Sequence, residues 1–195
     1  MAAYYISDTH FGHSNIIRFE NRPFDSVERM NQYLIESWNA RVTDADDVFV
    51  IGDLAYRSAT SVKSIVEQLA GRKHLVIGNH DVKWMKTFKV ENYFVEVAHA
   101  LYNVDEKNRR IFMCHYPCFT WPGAKYESSF HVYGHIHSNK PETFWPVLKT
   151  YKNALNAGVE INGYMPATLE ELIANNERWR NEEERWALRM SRIRY

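Results

Sequence analysis

The sequence predicts a single α/β domain in which short strands alternate with helices. The chain has 195 residues, the usual size of one domain, and 45% of them are hydrophobic, enough to fill one sizeable core. Over the first two-thirds of the chain, short apolar runs alternate with segments of helical periodicity. Several of these apolar runs end in acidic or imidazole side chains, which indicates chemistry at one edge of a sheet.

The composition favours a reduced, cytoplasmic setting. The 24 Lys and Arg residues balance the 24 Asp and Glu residues, so no whole-chain field would draw the protein onto nucleic acid or an anionic membrane. Two cysteines, Cys114 and Cys118, are too few for a disulfide framework. The first residues lack a basic signal-peptide segment, and no stretch approaches the roughly 20 apolar residues of a membrane span.

Three helices are predicted from capping signals and apolar periodicity. Asp25 and Glu28 suit a capping box that opens a first helix, whose apolar face is formed by Val27, Met30, Leu34, Ile35 and Trp38. A second helix, which we expect to end at Gly71, is indicated by Val62, Ile65, Val66 and Leu69. Thr168 and Glu171 predict a third helix from residue 169.

The remaining segments predict a hairpin and a charged C-terminal extension. Residues 93–104 and 109–115 are typical of two strands joined by a polar turn, so the sheet would be mixed. We divide the chain into a domain at 1–176 and a charged helical extension at 177–195. Trp179 and Trp186 share one face of this extension, which is either a solvated helix or an oligomer contact.

Five predicted strands end in side chains able to bind a metal or transfer a proton. In chain order these are Asp8 and His10, then Asp53, then Asn79, His80 and Asp81, then His115, then His135 and His137. The carboxyl ends of parallel strands share one edge of an open α/β sheet, so these side chains are expected to converge. In extended chain, two residues at i and i+2, such as Asp8 and His10, point to the same side. Three glycines precede ligand candidates and are expected to act as bends: Gly52, Gly78 and Gly134.

This donor set indicates a site for two divalent cations. The seven ligand candidates are Asp8, His10, Asp53, Asn79, His115, His135 and His137. Carboxylate, imidazole and amide donors together suit Mn²⁺, which we expect, with Fe²⁺, Zn²⁺, Ni²⁺ or Mg²⁺ as alternatives. Asp53 would bridge two ions roughly 3.5–4 Å apart, with a hydroxide between them as the nucleophile. A single histidine or aspartate of this set would be better explained by packing or a turn, but five strand ends together favour one site.

The order of these residues resembles the calcineurin-like metallophosphoesterase superfamily, in particular its small bacterial and phage members. The blocks that carry the resemblance are Asp8-Thr9-His10, Gly52-Asp53, Gly78-Asn79-His80-Asp81, His115 and Gly134-His135-Ile136-His137. They lie between residues 4 and 137, and the segment 156–160 resembles the strand and turn that follow in such members.

The resemblance implies a four-layer α/β/β/α sandwich of two mixed β-sheets flanked by helices. It also implies two ligand sets, one of Asp8, His10, Asp53 and His137 and the other of Asp53, Asn79, His115 and His135. His80 matches the histidine that contacts the phosphate and protonates the leaving oxygen, so His80 and Asp53 are the predicted catalytic residues.

Five further positions bear on the substrate. Tyr56 stands where the Ser/Thr protein phosphatases have an aspartate, which disfavours that branch. Arg57 matches a phosphate-binding arginine, with a plain surface arginine as the alternative. His13 and Asn15 are candidates to line the cleft, with loop packing as the alternative. Asp81 is predicted to lie near substrate or an imidazole, with a turn-stabilising role as the alternative.

The function indicated is hydrolysis of a phosphodiester or phosphomonoester in a small, nucleotide-like substrate. The alternatives are a nuclease acting on polymeric nucleic acid and a non-enzymatic scaffold with this fold. Balanced charge argues against the nuclease, and a complete ligand set argues against the scaffold. Trp121, in a loop near the site, is a candidate to stack on a nucleobase.

Overall fold

The first of two sheets is built from four parallel strands. The computed structural model describes residues 1–56 and 61–192, and for 183–192 the helical backbone alone. In these residues the first sheet has the order β1 (Ala3–Ile6), β2 (Asp47–Ile51), β3 (Arg72–Val76) and β4 (Glu96–Ala98). All three pairings are parallel, and an antiparallel bridge from Tyr5 to Ala167 extends the β1 edge.

The second sheet is mixed. Its order is β5 (Ala100–Val104), β6 (Arg110–Cys114), β7 (Ser129–Tyr133) and β8 (Ala154–Asn156). β5 runs antiparallel to β6, whereas β6, β7 and β8 are parallel. The carboxyl ends of β6 and β7 therefore lie at the same edge of this sheet.

The predicted strand 93–104 is wrong in one respect, because it is two strands in different sheets. β4 pairs with β3, β5 pairs with β6, and only His99 separates them. The predicted turn between β5 and β6 is confirmed. The Asp105 carboxylate stabilises it by accepting the backbone N–H groups of Lys107 at 3.0 Å and Arg109 at 2.9 Å.

The predicted N-terminal cap is correct for the helix that begins at Leu169 and wrong by one residue for the helix that begins at Val27. The helix α2 (Val27–Asn39) is capped by Ser26, whose Oγ accepts the Arg29 N–H at 3.2 Å, and not by Asp25. Asp25 instead forms an exposed ion pair with Arg29 at 3.3 Å. The capping box of α6 (Leu169–Arg192) is confirmed, because Glu171 accepts the Thr168 N–H at 2.8 Å and donates its own to Thr168 at 3.3 Å.

The other helices are short. They are α1 (Ser14–Phe19), α3 (Val62–Val66), α4 (Asp81–Trp84) and α5 (Trp145–Leu148), and a 3₁₀ turn spans Val90–Asn92. The second predicted helix therefore ends earlier than expected. Gly71 has the expected left-handed backbone, with φ of +90°, but lies in the loop just before β3.

Three layers of apolar side chains pack between four layers of secondary structure: helices, the first sheet, the second sheet and helices. Along β2, Val48 and Val50 face α1 to α4, whereas Phe49 and Ile51 face the second sheet. The outer face of the second sheet is covered by α5, α6 and the loops beside them. The predicted four-layer α/β/β/α fold is thereby confirmed.

The charged C-terminal segment is part of α6 as far as Arg192, the last residue that the structure describes. Trp179 is buried, its ring lies 4.6 Å from that of Trp145, and its indole N–H donates to the Ser138 carbonyl at 3.3 Å. Neither a solvated helix nor an oligomer contact describes this part of the segment, while the side chain of Trp186 lies outside the described residues. In the described chain, no helix combines the length and apolar composition that crossing a bilayer requires.

His131 is a buried imidazole at the centre of β7. The Cys118 backbone N–H donates to its Nε2 at 3.0 Å, so the ring proton lies on Nδ1, which is 3.3 Å from the Phe112 carbonyl. Burial lowers the pKa of His131 to about 4, although its contacts with the carbonyls of Phe112 and Tyr116 act in the opposite direction. The folded protein therefore holds this imidazole neutral.

We expect His131 to make the fold sensitive to acid between pH 6.5 and 4. In this window the unfolded chain binds a proton that folded His131 does not, so the free energy of unfolding falls as the pH falls, by up to about 3 kcal/mol. Urea unfolding of wild type and His131→Gln over this range measures the effect, and the variant should lose most of this slope. The exposed His99, replaced by Gln, is the control. Equal slopes in wild type and His131→Gln would contradict the assignment.

Candidate metal centre

The carboxyl ends of five strands meet in one place. Asp8 and His10 follow β1, Asp53 follows β2, Asn79 and His80 follow β3, His115 follows β6, and His135 and His137 follow β7. The two sheets are joined here by the bridge from Ser7 to Gly158, beside which the Ser7 N–H donates to the Ala157 carbonyl at 2.9 Å. The His135 N–H crosses between the sheets and donates to Asp8 Oδ2 at 3.0 Å. The expected convergence is thus met by two sheet edges and not by one.

The first group of donor atoms consists of Asp8, His10 and His137, which lie within 4.8 Å of one another. His10 Nε2 and His137 Nε2 are each 3.9 Å from Asp8 Oδ1. Two atoms that bind the same ion at about 2.1 Å can be at most about 4.2 Å apart. The distances from Asp8 to both histidines therefore fit a shared cation.

The second group surrounds the amide oxygen of Asn79. His115 Nε2 lies 3.2 Å from Asn79 Oδ1, and His135 Nδ1 lies 3.1 Å from it. The other ring nitrogen of His115, Nδ1, is 2.8 Å from the Ile51 carbonyl. This contact fixes the proton on Nδ1, so that Nε2 presents its lone pair to the site.

Asp53 lies between the two groups. Its Oδ2 is 3.7 Å from His10 Nε2 and 3.4 Å from His115 Nε2, which is the position that a bridging carboxylate requires. Asp8 is also within 4.8 Å of both Asp53 and His115. Two carboxylates, and not Asp53 alone, thus lie within reach of both groups.

The backbone at this site is left-handed at five of the seven predicted ligands. These are Asp8 (φ 56°), His10 (50°), Asp53 (54°), His135 (71°) and His137 (51°). The extended-chain argument for the i, i+2 pairs is therefore wrong, because the side chains are brought together by tight turns. A non-glycine residue in this conformation costs about 1–3 kcal/mol, so the surrounding structure must hold it in place.

A buried arginine holds the turn that carries Asp8 and His10. Arg22 Nη2 donates to the Asp8 carbonyl at 2.7 Å, and Arg22 Nη1 donates to the Thr9 carbonyl at 2.8 Å. Its charge is balanced by Glu160 at 2.6 Å, and the same Glu160 oxygen is 3.1 Å from His137 Nδ1. One buried ion pair thus positions residues from both sheets.

Neither member of that pair is among the predicted site residues. Glu160 lies in the segment 156–160, which the resemblance marks only as a strand and turn. Arg22 follows α1 in an irregular segment where no residue pattern indicates a role. Only the folded chain brings Arg22 within reach of Glu160, 138 residues away.

Asp81 holds the turn at Asp53. Its carboxylate accepts the backbone N–H groups of Asp53 at 2.8 Å, Leu54 at 3.0 Å and Gly78 at 2.8 Å, and the Trp84 indole N–H at 2.8 Å. The side chain is fully buried with both oxygens occupied, so the prediction that Asp81 contacts substrate is wrong. Its contacts are those of the turn-stabilising alternative.

The three predicted glycines let the strand ends approach one another. A Cβ on Gly52 would overlap the His115 ring, one on Gly78 would overlap Asp53, and one on Gly134 would overlap Ser7. Gly52 also has a φ of +82°, so the bend expected there is present. At the other two positions the close contact is what requires glycine.

Burial favours cation binding at Asp8 and His10, whereas His137 holds a proton that a cation must displace. Burial raises the pKa of Asp8 to about 6, and burial lowers the pKa of His10 well below its usual value. Both nitrogens of the buried His10 ring lack a hydrogen-bond partner in the described chain, and such an arrangement is costly unless a ligand takes the lone pair. Burial acts to lower the pKa of His137, but its contact with Glu160 and the charge of Asp8 raise it to about 9.

Asp53 and His115 form a coupled buried pair. Burial acts to raise the pKa of Asp53, but its contact with His115 outweighs this effect and lowers it. The same contact raises the pKa of His115 against burial. Both shifts show that Asp53 attracts positive charge, and a cation would compete with the His115 proton for it.

Two of the remaining predicted residues, His13 and His80, lie against the ring of Tyr56. The ring of Tyr56 is 4.5 Å from those of both His13 and His80, and His80 Nε2 is 3.9 Å from Asp53 Oδ2. The side chain of His80 is 35% exposed, so a substrate can reach it. Asn15 is exposed on α1, and Arg57 lies outside the described residues.

Comparison with known proteins agrees with this architecture. Residues 1–151 match the family described as the calcineurin-like phosphoesterase superfamily domain. The uncharacterized protein MJ1445 of Methanocaldococcus jannaschii is 33% identical over 175 residues, which cover 87% of this chain and 88% of that protein.

Two further relatives extend the comparison. The gene 66 protein of Mycobacterium phage L5 is 33% identical over 84 residues, covering 40% of this chain and 39% of that protein. The crystal structure of the protein of unknown function AQ665 from Aquifex aeolicus superposes with a TM-score of 0.67 at 26% identity, covering 87% of this chain and 96% of that chain. With the family match spanning most of its length, the chain belongs to the calcineurin-like phosphoesterase superfamily.

Proposed function

We propose that this protein is a metal-dependent enzyme that hydrolyses a phosphodiester or phosphomonoester bond of a small, nucleotide-like substrate. The observation that supports this most directly is the pair of adjacent donor groups joined by Asp53, with the accessible imidazole of His80 3.9 Å from the shared carboxylate. A binding module would not need a proton donor at that position.

Asp8, His10, Asp53 and His137 would hold one cation, and Asp53, Asn79, His115 and His135 the other. The mixed carboxylate, imidazole and amide donors suit Mn²⁺. When bound, two such cations acidify a water molecule and offset the negative charge that develops on the phosphoryl oxygens. The chain's own contribution is to keep these donors fixed in their left-handed turns.

His80 would protonate the leaving oxygen. Its backbone N–H donates to Asp53 Oδ1 at 2.8 Å, which fixes the position of the residue, and the edge contact with Tyr56 limits rotation of the ring. An exposed imidazole beside the donor groups can deliver a proton to a departing alkoxide and recover one from water. His13, Asn15 and Arg57 are proposed as contacts to the substrate around it.

We expect Asp53→Asn to lose metal from both positions. One carboxylate serves both groups, so Mn²⁺ affinity should fall by more than the roughly 10- to 100-fold typical of losing a supporting residue. Metal content after dialysis and Mn²⁺-dependent turnover of bis(p-nitrophenyl) phosphate measure this loss. Asp25→Asn, which changes an exposed carboxylate, is the control. Two tightly held Mn²⁺ ions in Asp53→Asn would refute the shared-ligand assignment.

The reaction class is tested with a substrate panel. Wild type and His80→Ala are compared on a chromogenic phosphodiester, a chromogenic phosphomonoester and single-stranded DNA in the presence of Mn²⁺. We expect turnover of a small ester that falls strongly in His80→Ala. Activity on single-stranded DNA alone would favour the nuclease, and no metal-dependent turnover of any substrate would favour the scaffold.

We also expect Glu160→Gln to weaken metal binding without removing a ligand. The carboxylate orients His137 and balances Arg22, so Mn²⁺ affinity should fall by about 10- to 100-fold. Titration with Mn²⁺, alongside a thermal melt of the metal-free protein, separates this effect from loss of stability. Glu171→Gln is a matched control, because Glu171 pairs with Arg41 at 2.6 Å away from the site. Unchanged Mn²⁺ affinity in Glu160→Gln would show that the pair does not support the site.

A further inference from the structure

An apolar cavity opens beside the second donor group. Its volume is about 580 Å³, and its walls include Tyr116, Phe119, His135, Ile136, Phe144 and Leu148. No Lys, Arg, Asp or Glu side chain lines it in the described part of the chain. Its size lies within the roughly 300–1,000 Å³ typical of small-molecule sites, and its walls favour an uncharged occupant.

The cavity and the donor groups share a wall. His135 lines the cavity and, through Nδ1, lies 3.1 Å from Asn79 Oδ1. The Tyr116 ring is 4.6 Å from the His135 ring and 5.2 Å from the His115 ring. A phosphate held at the donor groups would therefore lie next to the mouth of the cavity, with one of its ester arms able to enter.

Two aromatic residues of this wall are exposed. Phe119 is 54% exposed and Tyr116 is 46% exposed. Trp121, the residue expected to stack on a base, is instead buried, and its indole N–H donates to Ser129 Oγ at 3.2 Å. The exposed aromatic rings of the cavity are thus those of Tyr116 and Phe119, and the expectation for Trp121 is wrong.

We propose that this cavity binds the planar, uncharged ring of a nucleotide-like ester whose phosphate lies at the donor groups. This inference rests on the proposed function, because the phosphate fixes which end of the ligand reaches the cavity. The aromatic walls can stack on the face of a base, which every base offers. Among the residues that the structure describes, no lysine or arginine lines the walls, which disfavours a second phosphate there.

Binding of three phosphates to the Mn²⁺-loaded His80→Ala protein, whose low turnover leaves the esters intact, tests the proposal by calorimetry, and the variants that follow are made in the same background. Inorganic phosphate, ribose 5-phosphate and adenosine 5′-monophosphate share the phosphate, and only the last carries a base. We expect adenosine 5′-monophosphate to bind at least about fivefold more tightly than ribose 5-phosphate, as stacking of one base provides. Phe119→Ala should remove this preference and leave the other two affinities unchanged.

Two variants check that the effect belongs to the aromatic face. Phe119→Trp should restore the preference, and Tyr102→Ala, which removes an aromatic that is 50% exposed outside the cavity, should leave it unchanged. Two results would overturn the cavity assignment. One is equal binding of ribose 5-phosphate and adenosine 5′-monophosphate, and the other is a preference for adenosine 5′-monophosphate that survives in Phe119→Ala. If phosphate binding and wild-type turnover persist, either result leaves the proposed function intact. Loss of phosphate binding together with turnover in wild type would instead overturn the proposed function, and the inference with it.

Discussion

The site depends on the contact between two sheet edges. β1 to β3 end at one edge and β6 and β7 at the other, and neither edge alone supplies a complete donor set. The His135 N–H donates to the Asp8 carboxylate across this boundary, and glycines at 52, 78 and 134 remove the side chains that would separate the strand ends. Packing of the sheets through their shared apolar layer therefore fixes the distances between the donors.

Buried polar groups hold strained backbone in place around this contact. Asp81 fixes the turn at Asp53 with its full hydrogen-bonding capacity, and Arg22 fixes the turn at Asp8 through two carbonyl oxygens. Each left-handed residue has a cost, and each of these two turns is held by a buried charged side chain. Rigidity of this kind keeps donors in position when no cation neutralises their charges.

The sequence was sufficient for the parts of the site that are local in the chain. Side chains such as Asp53 and His115 directly follow apolar strands, so their convergence could be predicted from parallel topology. The pair of Arg22 and Glu160 could not, because 138 residues separate them and Arg22 follows no strand. The cap at Ser26 was misplaced by one residue because Asp25 is an equally good capping type. Hydrophobic periodicity does not show which sheet a strand joins, so it could not predict that residues 93–104 are divided between two sheets.

The passage from β4 to β5 occupies a single residue, His99. Because the link is so short, β4 cannot separate from β3 without displacing β5, which pairs with β6. Opening of the first sheet at β4 therefore strains the pairing of β5 with β6, the strand that ends in His115.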